Sequence, residues 1–465
     1  MIKSIGIFDK SEFWEIFLLQ SGIPYIPEIG YSERSDSNIG AIIFNRKIGK
    51  SEIDELRRFW GEEVIFIFTH IYGKKKREIK ENEQYSFRNE IYYFDILIEE
   101  YEYKNATDQK EVYFPIKFIL PAIGKIERKN FYHSRNELAS ERVSKTKYGE
   151  ILRFIQNFLV TSFKEHNQDI EHIIPLPENK PVFIFRIDTD FADYYEIVSL
   201  FKICQKHNIS GSWFTDVHSD KNLSLYKEEF QDHEIGLHCD KHYVYGSKEQ
   251  NLSNIKRGIE LLRKHSLEPF GFAAPFGNWT MELESALFEC NFSYSSEFCF
   301  AYDTLPFVRK FKEKKMLQVP IHPISPGRLR RAHYNLSEMR DYYRQVMNSC
   351  LEKQIPLIIY HHPAHGLLEL IDQIFKMIRD NRFNNITMIS YASWWLKRYE
   401  FLQCNANIEL MSSQILEKKS IIYPEDYRNC YKKNWRWYQA EYESWKGQKY
   451  FKKYGYPRRA MEKSL

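Results

Sequence analysis

Two short stretches hold the residues best suited to chemistry. Phe185-Arg186-Ile187-Asp188-Thr189-Asp190 closes an apolar run, Pro181 to Ile187, with two carboxylates. The run predicts a buried strand that delivers both acids at its C-terminal edge. Carboxylates there lose hydration, so they need a metal, a cation or a chemical task. Further on, His238-Cys239-Asp240-Lys241-His242 sets two histidines four apart, close enough for both imidazoles to reach one ion. One Asp and two His, with positions left for water and substrate, suit a divalent metal such as zinc. The spare Asp can then act as a base. The plain alternative is a salt-bridged strand end and two surface histidines.

Three more motifs follow in order: Asp232-His233-Glu234-Ile235-Gly236-Leu237-His238, which leads into the histidine pair; Ala273-Ala274-Pro275-Phe276-Gly277; and Leu357-Ile358-Ile359-Tyr360-His361-His362-Pro363. With the Asp-x-Asp strand end, this order resembles the polysaccharide deacetylases (carbohydrate esterase family 4, the NodB-homology fold) over roughly residues 180 to 400. The resemblance implies a metal held by Asp190, His238 and His242. It implies Asp188 as general base and a late histidine as general acid. His362 is preferred over His361 because it precedes Pro363, and adjacent strand residues face opposite sides. Pro275, Phe276 and Trp279 would wall the substrate pocket, with His322 and Glu297 as further lining residues.

The chain departs from the family at one place: the arginine expected before x-Pro-aromatic-Gly is Ala273. In the family that arginine lies beside the catalytic Asp and keeps it ionised. Arg186 can take over. With a period of two, Val182, Ile184, Arg186, Asp188 and Asp190 share one strand face. One strand repeat, about 6.5 Å, separates Arg186 from Asp188. A hydrogen bond between them is therefore expected.

These residues need a scaffold. The pattern predicts an α/β protein: a distorted (β/α) barrel of the NodB-homology type over residues 179–400, with strands and helices alternating from Pro181. Gly211 to Thr215, His233 to Leu237, Phe270 to Pro275, Leu317 to Ile321, Leu357 to Tyr360 and Asn385 to Ile389 read as strands. Residues 1–85 read as a small α/β unit, flavodoxin-like or amidotransferase-like. It has strands at Ala41 to Phe44 and Val64 to Phe68 and a helix that Ser51 would cap. Residues 86–178 read as a β-rich segment and a connecting helix. In that segment Ile91 to Ile98 and Val112 to Leu120 flank a polar turn, Lys104 to Asp108. Residues 401–465 read as an aromatic, basic helical tail.

Composition narrows the classes. A chain of 465 residues exceeds one ordinary core. Its net charge of +4 does not point to nucleic acid. No apolar run spans a bilayer and the first residues hold no secretory signal, so a cytoplasmic location is expected. The seven cysteines never form a Cys-x-x-Cys pair and read as reduced; Cys239 reads as a small filler. The expected function is a metal-dependent hydrolase that removes an N-acyl group, acetyl above all, from an amino sugar or glycan of surface-polysaccharide metabolism. Two alternatives stay open: a C–N hydrolase acting on a non-sugar amide, and an inactive deacetylase-like module that binds glycan or a partner.

Overall fold

The apolar run after Pro181 becomes β1 (Val182–Asp188), buried along its whole length. A strand covered on both faces needs such a run. The computed structural model describes residues 3–30, 38–70, 73–80, 83–94, 96–102, 110–118, 128–129, 141–142, 148–170, 173–218, 223–297, 305–322, 324–331 and 334–403. The described chain divides into two units. One holds β1 and draws, among the described residues, on Ala122–Lys145 and Lys180–Trp395; the other draws on Met1–Pro121, Thr146–Asn179 and the residues from Leu396.

In the unit holding β1, the strands after it are β2 (Gly211–Asp216), β3 (Glu234–Cys239), β4 (Gly271–Phe272), β5 (Tyr294–Ser295), β6 (Phe307–Phe311), β7 (Lys314–Gln318), β8 (Leu357–His361) and β9 (Asn384–Asn385). Their order is β6-β7-β5-β4-β3-β2-β1-β8, and β9 also pairs with β1. Every pair is parallel except the hairpin β6/β7. Helices join the parallel strands, the first being Tyr194–His207, where Asp193 and Glu196 close a capping box. The sheet curls. Past β7, Val319 N–H donates to the Ser295 carbonyl at 2.9 Å and His322 N–H to the Ile358 carbonyl at 2.9 Å, which brings the chain beside β8. Because the strands run parallel, their C-terminal ends share one rim.

Two readings in this unit change. The hairpin β6/β7 was not foreseen: Arg309, Lys310, Lys314 and Lys315 give it the charged look of a loop, as befits an edge strand. Asn385 to Ile389 is not a strand beyond Asn385, for a helix starts at Met388. Its first N–H groups are taken by other side chains: Met388 N–H donates to Ser212 Oγ at 2.7 Å and Ile389 N–H to the Glu234 carboxylate at 2.9 Å.

The other unit is built on a five-stranded parallel sheet ordered Tyr25–Ile26, Ser4–Ile7, Ile39–Phe44, Ile65–Phe68 and Glu111–Tyr113. Ile42, Phe44, Phe66 and Phe68 pack with Leu56 and Trp60 of the helix Lys50–Trp60. That helix is capped by Gly49 and not by Ser51. Lys75–Ile79, Ile98–Tyr101 and Ile116–Phe118 form an antiparallel sheet, and Gln84–Phe87 pairs with Glu90–Tyr93. Glu111–Tyr113 thus belongs to the parallel sheet; with one fully apolar side chain, Val112, it lacks the run that marks such a strand. The Lys104 to Asp108 turn and the tail beyond residue 403 lie outside the described residues. No described helix is long and apolar enough to cross a membrane.

Three further histidines are packed into the unit that holds β1. His233 Nδ1 accepts the Gly211 N–H at 2.8 Å and the Trp213 indole N–H at 3.0 Å. His322 Nε2 meets the Tyr342 hydroxyl at 2.8 Å. His361 Nε2–H donates to the Gly366 carbonyl at 3.0 Å. Burial pushes their proton affinity down, His233 to about 4, His322 to about 3 and His361 to about 4. Between those values and the unfolded value near 6.5 only the unfolded chain takes these protons, so stability falls as the pH drops through that window. From pH 7 to pH 5 the unfolding free energy in urea is expected to fall further in the parent chain than in His322→Gln, and an equal change in the two would contradict the assignment.

Candidate active site

The strand ends bring the chemistry together. Asp188 ends β1 and Asp190 follows it; His238 lies near the end of β3, and His242 in the bend beyond. His362 follows β8. Register decides between the two late histidines. His361 pairs with Ile187, whose side chain leaves the strand on the face opposite to Asp188. His361 accordingly stacks on Phe185, with ring centroids 6.4 Å apart. His362 faces the acids: its Nε2 is 3.4 Å from Asp190 Oδ1 and 4.0 Å from Asp188 Oδ2.

Arg186 meets Asp188 in a fork. Its Nε–H donates to Oδ1 at 2.7 Å and its Nη2 to Oδ2 at 2.6 Å. The Nη1 group donates to the Ser296 carbonyl at 2.5 Å and reaches Ser296 Oγ at 3.3 Å. The guanidinium also lies over Phe214, which pairs with Asp188 on β2, and Tyr360, which pairs with Arg186 on β8. Both members of the pair are buried, with Arg186 1% and Asp188 3% exposed. Burial opposes charge on Asp188, yet Arg186, then His238 and His362, hold its carboxyl below the usual carboxylate value.

Among the described residues no guanidinium or ammonium pairs with Asp190. It is 4% exposed, and its Oδ1 accepts no hydrogen bond from a described residue. Burial, then the charges of Asp188 and Asp216, push its proton affinity well up. The two imidazoles converge on it. His238 Nε2 is 3.8 Å from Asp190 Oδ1, His242 Nε2 is 3.6 Å from Oδ2, and the two Nε2 atoms are 3.0 Å apart. Four ligands at about 2.0–2.2 Å around a tetrahedral ion lie roughly 3.3–3.6 Å from one another, so the spacing fits. The tautomer fits too. His238 Nδ1–H donates to the Ala273 carbonyl at 2.6 Å, which leaves Nε2 with its lone pair. Burial lowers that imidazole to about 4, so it is neutral at physiological pH. Asp190, His238 and His242 can therefore hold a metal ion.

The remaining expected residues lie around this centre in different ways. Pro275 is buried and Phe276 half-buried in the turn Pro275–Gly277, and the Phe276 ring touches His242. Trp279 is wholly buried. Glu297, 1% exposed, accepts the Ala274 N–H at 3.0 Å and an N–H of Gln318 at 2.8 Å, so it holds the backbone of the turn; burial raises its carboxyl to about 7. His322 is engaged with Tyr342. Cys239 is buried, with the Asp216 carboxylate among the charges that act on its thiol. Burial, then Asp216 and its neighbouring acids, keep that thiol protonated. Asp216 itself, fully buried at the end of β2, was missed. The sequence reading stopped that strand at Thr215, one residue short of an acid placed like Asp188.

No protein-family model and no curated protein sequence matches the chain. Solved structures similar to it include one described as a "probable Polysaccharide deacetylase from Pseudomonas aeruginosa PAO1", with 14% identity and a TM-score of 0.41, covering 50% of this chain and 96% of that one. An allantoinase has 13% identity and a TM-score of 0.41, covering 50% and 95%. A CE4 family pseudoenzyme from Bacillus anthracis has 13% identity and a TM-score of 0.32, covering 46% and 66%. The chain is thus similar in structure to polysaccharide deacetylases and CE4 proteins over about half its length. The roles of its residues rest on the geometry above.

Removing one partner of a buried ion pair leaves the other charge uncompensated, at about 3–5 kcal/mol. Arg186→Met should destabilise the fold by that order in urea unfolding, and Arg186→Met with Asp188→Asn should recover much of the loss. Equal stability of Arg186→Met and the parent chain would contradict the pairing.

Proposed function

We propose that the protein is a zinc-dependent amide hydrolase that removes an acetyl group from the amino sugar of a glycan or sugar conjugate. The observation that carries this reading is the convergence of Asp190, His238 and His242 beside a second carboxylate, Asp188, and a third imidazole, His362. Three ligands with positions left over suit a catalytic zinc rather than a structural one.

When bound, zinc would polarise the acyl carbonyl and lower the pKa of a water. The side chains supply the rest. Asp188, kept ionised by Arg186, accepts the proton of the attacking water. Arg186 fixes both carboxylate oxygens, so Asp188 cannot turn away from its task. His362, within reach of the same acids, donates a proton to the departing amine. Phe276, half-buried in its turn, offers an apolar surface to the acyl group or the sugar ring. Ala273 does not argue for an inactive module, because the cation that Asp188 needs comes from its own strand.

Acetate release tests this reading. With zinc supplied, N-acetylamino-sugar oligomers and nucleotide-linked N-acetylamino sugars are compared with a simple N-aryl acetamide. Release from the sugars is expected, together with a loss of about 10²–10⁴-fold in Asp188→Asn at unchanged zinc content. His362→Ala should lower kcat more than it raises KM. Turnover of the aryl amide alone would favour the non-sugar reading. Zinc binding without turnover of any acetamide would favour a binding module.

Arg186 also sets a pH dependence. It holds the Asp188 carboxyl low, so without it the base takes its proton at higher pH. The acid limb of the pH–kcat/KM profile should move up by about 1–3 units in Arg186→Met. An unmoved limb would contradict the role of Arg186.

A further inference from the structure

The two imidazoles of the metal site are held by different means. His238 stands on β3 and is oriented by its bond to the Ala273 carbonyl. His242 lies beyond the strand, in a bend, and is buried. Its ring touches two phenylalanines. The Phe191 centroid is 4.9 Å away at an interplanar angle of 70°, and the Phe276 centroid 4.6 Å away at 78°. Both contacts are edge-to-face, the favoured geometry for aromatic pairs.

Both phenylalanines occupy left-handed backbone, with φ of 62° at Phe191 and 59° at Phe276. That conformation is strained for a residue with a Cβ and free of strain for glycine. Phe191 directly follows Asp190, and Phe276 lies three residues after Ala273, in the loop that also orients His238. Two strained positions from separate loops therefore each aim a ring at the same imidazole. Glycine would relieve the strain at either position, but it would remove the ring.

We propose that Phe191 and Phe276 are positioning residues that clamp the His242 ring and keep its Nε2 aimed at the metal point. The clamp rests on the reading of Asp190, His238 and His242 as metal ligands. It acts by restricting ring rotation before the ion arrives, so less freedom is lost on binding. Partners that orient a ligand typically change metal affinity by about 10–100-fold when removed.

The test is competition for Zn²⁺ between the full chain and a chromophoric chelator, alongside thermal unfolding of the metal-free chain. Phe191→Gly and Phe276→Gly should each weaken Zn²⁺ binding by about tenfold or more. A purely structural role predicts that affinity and metal-free stability fall together. The clamp predicts that affinity falls further, because glycine relieves the backbone at the same position. Phe276→Tyr, which keeps the ring, should retain affinity. If the glycine variants do not fold, Phe191→Leu and Phe276→Leu replace them, with the same weakening expected because the flat ring is gone. Zn²⁺ bound by the parent chain, lost in His238→Ala, yet held within twofold by both folded ring-less variants would overturn the clamp alone. A parent chain that binds no Zn²⁺ would overturn the metal reading and the clamp with it.

Discussion

The unequal treatment of two neighbouring carboxylates governs this site. Asp188 and Asp190 leave the same strand end, both buried, and among the described residues one guanidinium, Arg186, meets Asp188 directly. Arg186 grips both oxygens of Asp188 and is itself fixed by the Ser296 carbonyl. Asp190 is left with three imidazole nitrogens facing it, those of His238, His242 and His362, and with the added repulsion of Asp216. A buried carboxylate in such surroundings must take up a proton or bind a cation. The arrangement therefore sets the two acids apart: Asp188 stays ionised through Arg186, and Asp190, with the imidazoles, could hold a metal ion.

Topology makes this possible. A parallel sheet sends every strand end to the same rim, so residues far apart in sequence become neighbours there. Asp216 closes β2, His238 is next to last in β3, Ala273 follows β4, Ser296 and Glu297 follow β5, and His362 follows β8. The supporting contacts cross strands in the same way. Glu297 secures the backbone of the turn that carries Phe276, and the Ala273 carbonyl at the start of that turn sets the tautomer of His238.

Much of this was legible because strand periodicity is strict. A period of two placed Arg186 on the face of Asp188, and the fork is present. The same rule, with the register of β8 against β1, separates His362 from His361. Other features left no mark in the pattern. Strained aromatic residues such as Phe191 and Phe276 carry no glycine to announce left-handed backbone. The hairpin β6/β7 hides behind charges suited to a sheet edge, and the helix from Met388 opens with an apolar turn that reads equally well as strand. Glu111–Tyr113 joined the parallel sheet through pairing across a long stretch of chain, which no local pattern encodes.

The central claim is that a metal is held by two imidazoles and a carboxylate, with Cys239 left out despite its place between the histidines. X-ray absorption at the zinc edge of the zinc-loaded chain tests it most directly. The account predicts nitrogen and oxygen scatterers only, at about 2.0–2.2 Å, with the outer-shell pattern of two imidazoles. A sulfur scatterer at about 2.3 Å, or a shell without imidazole, would contradict it.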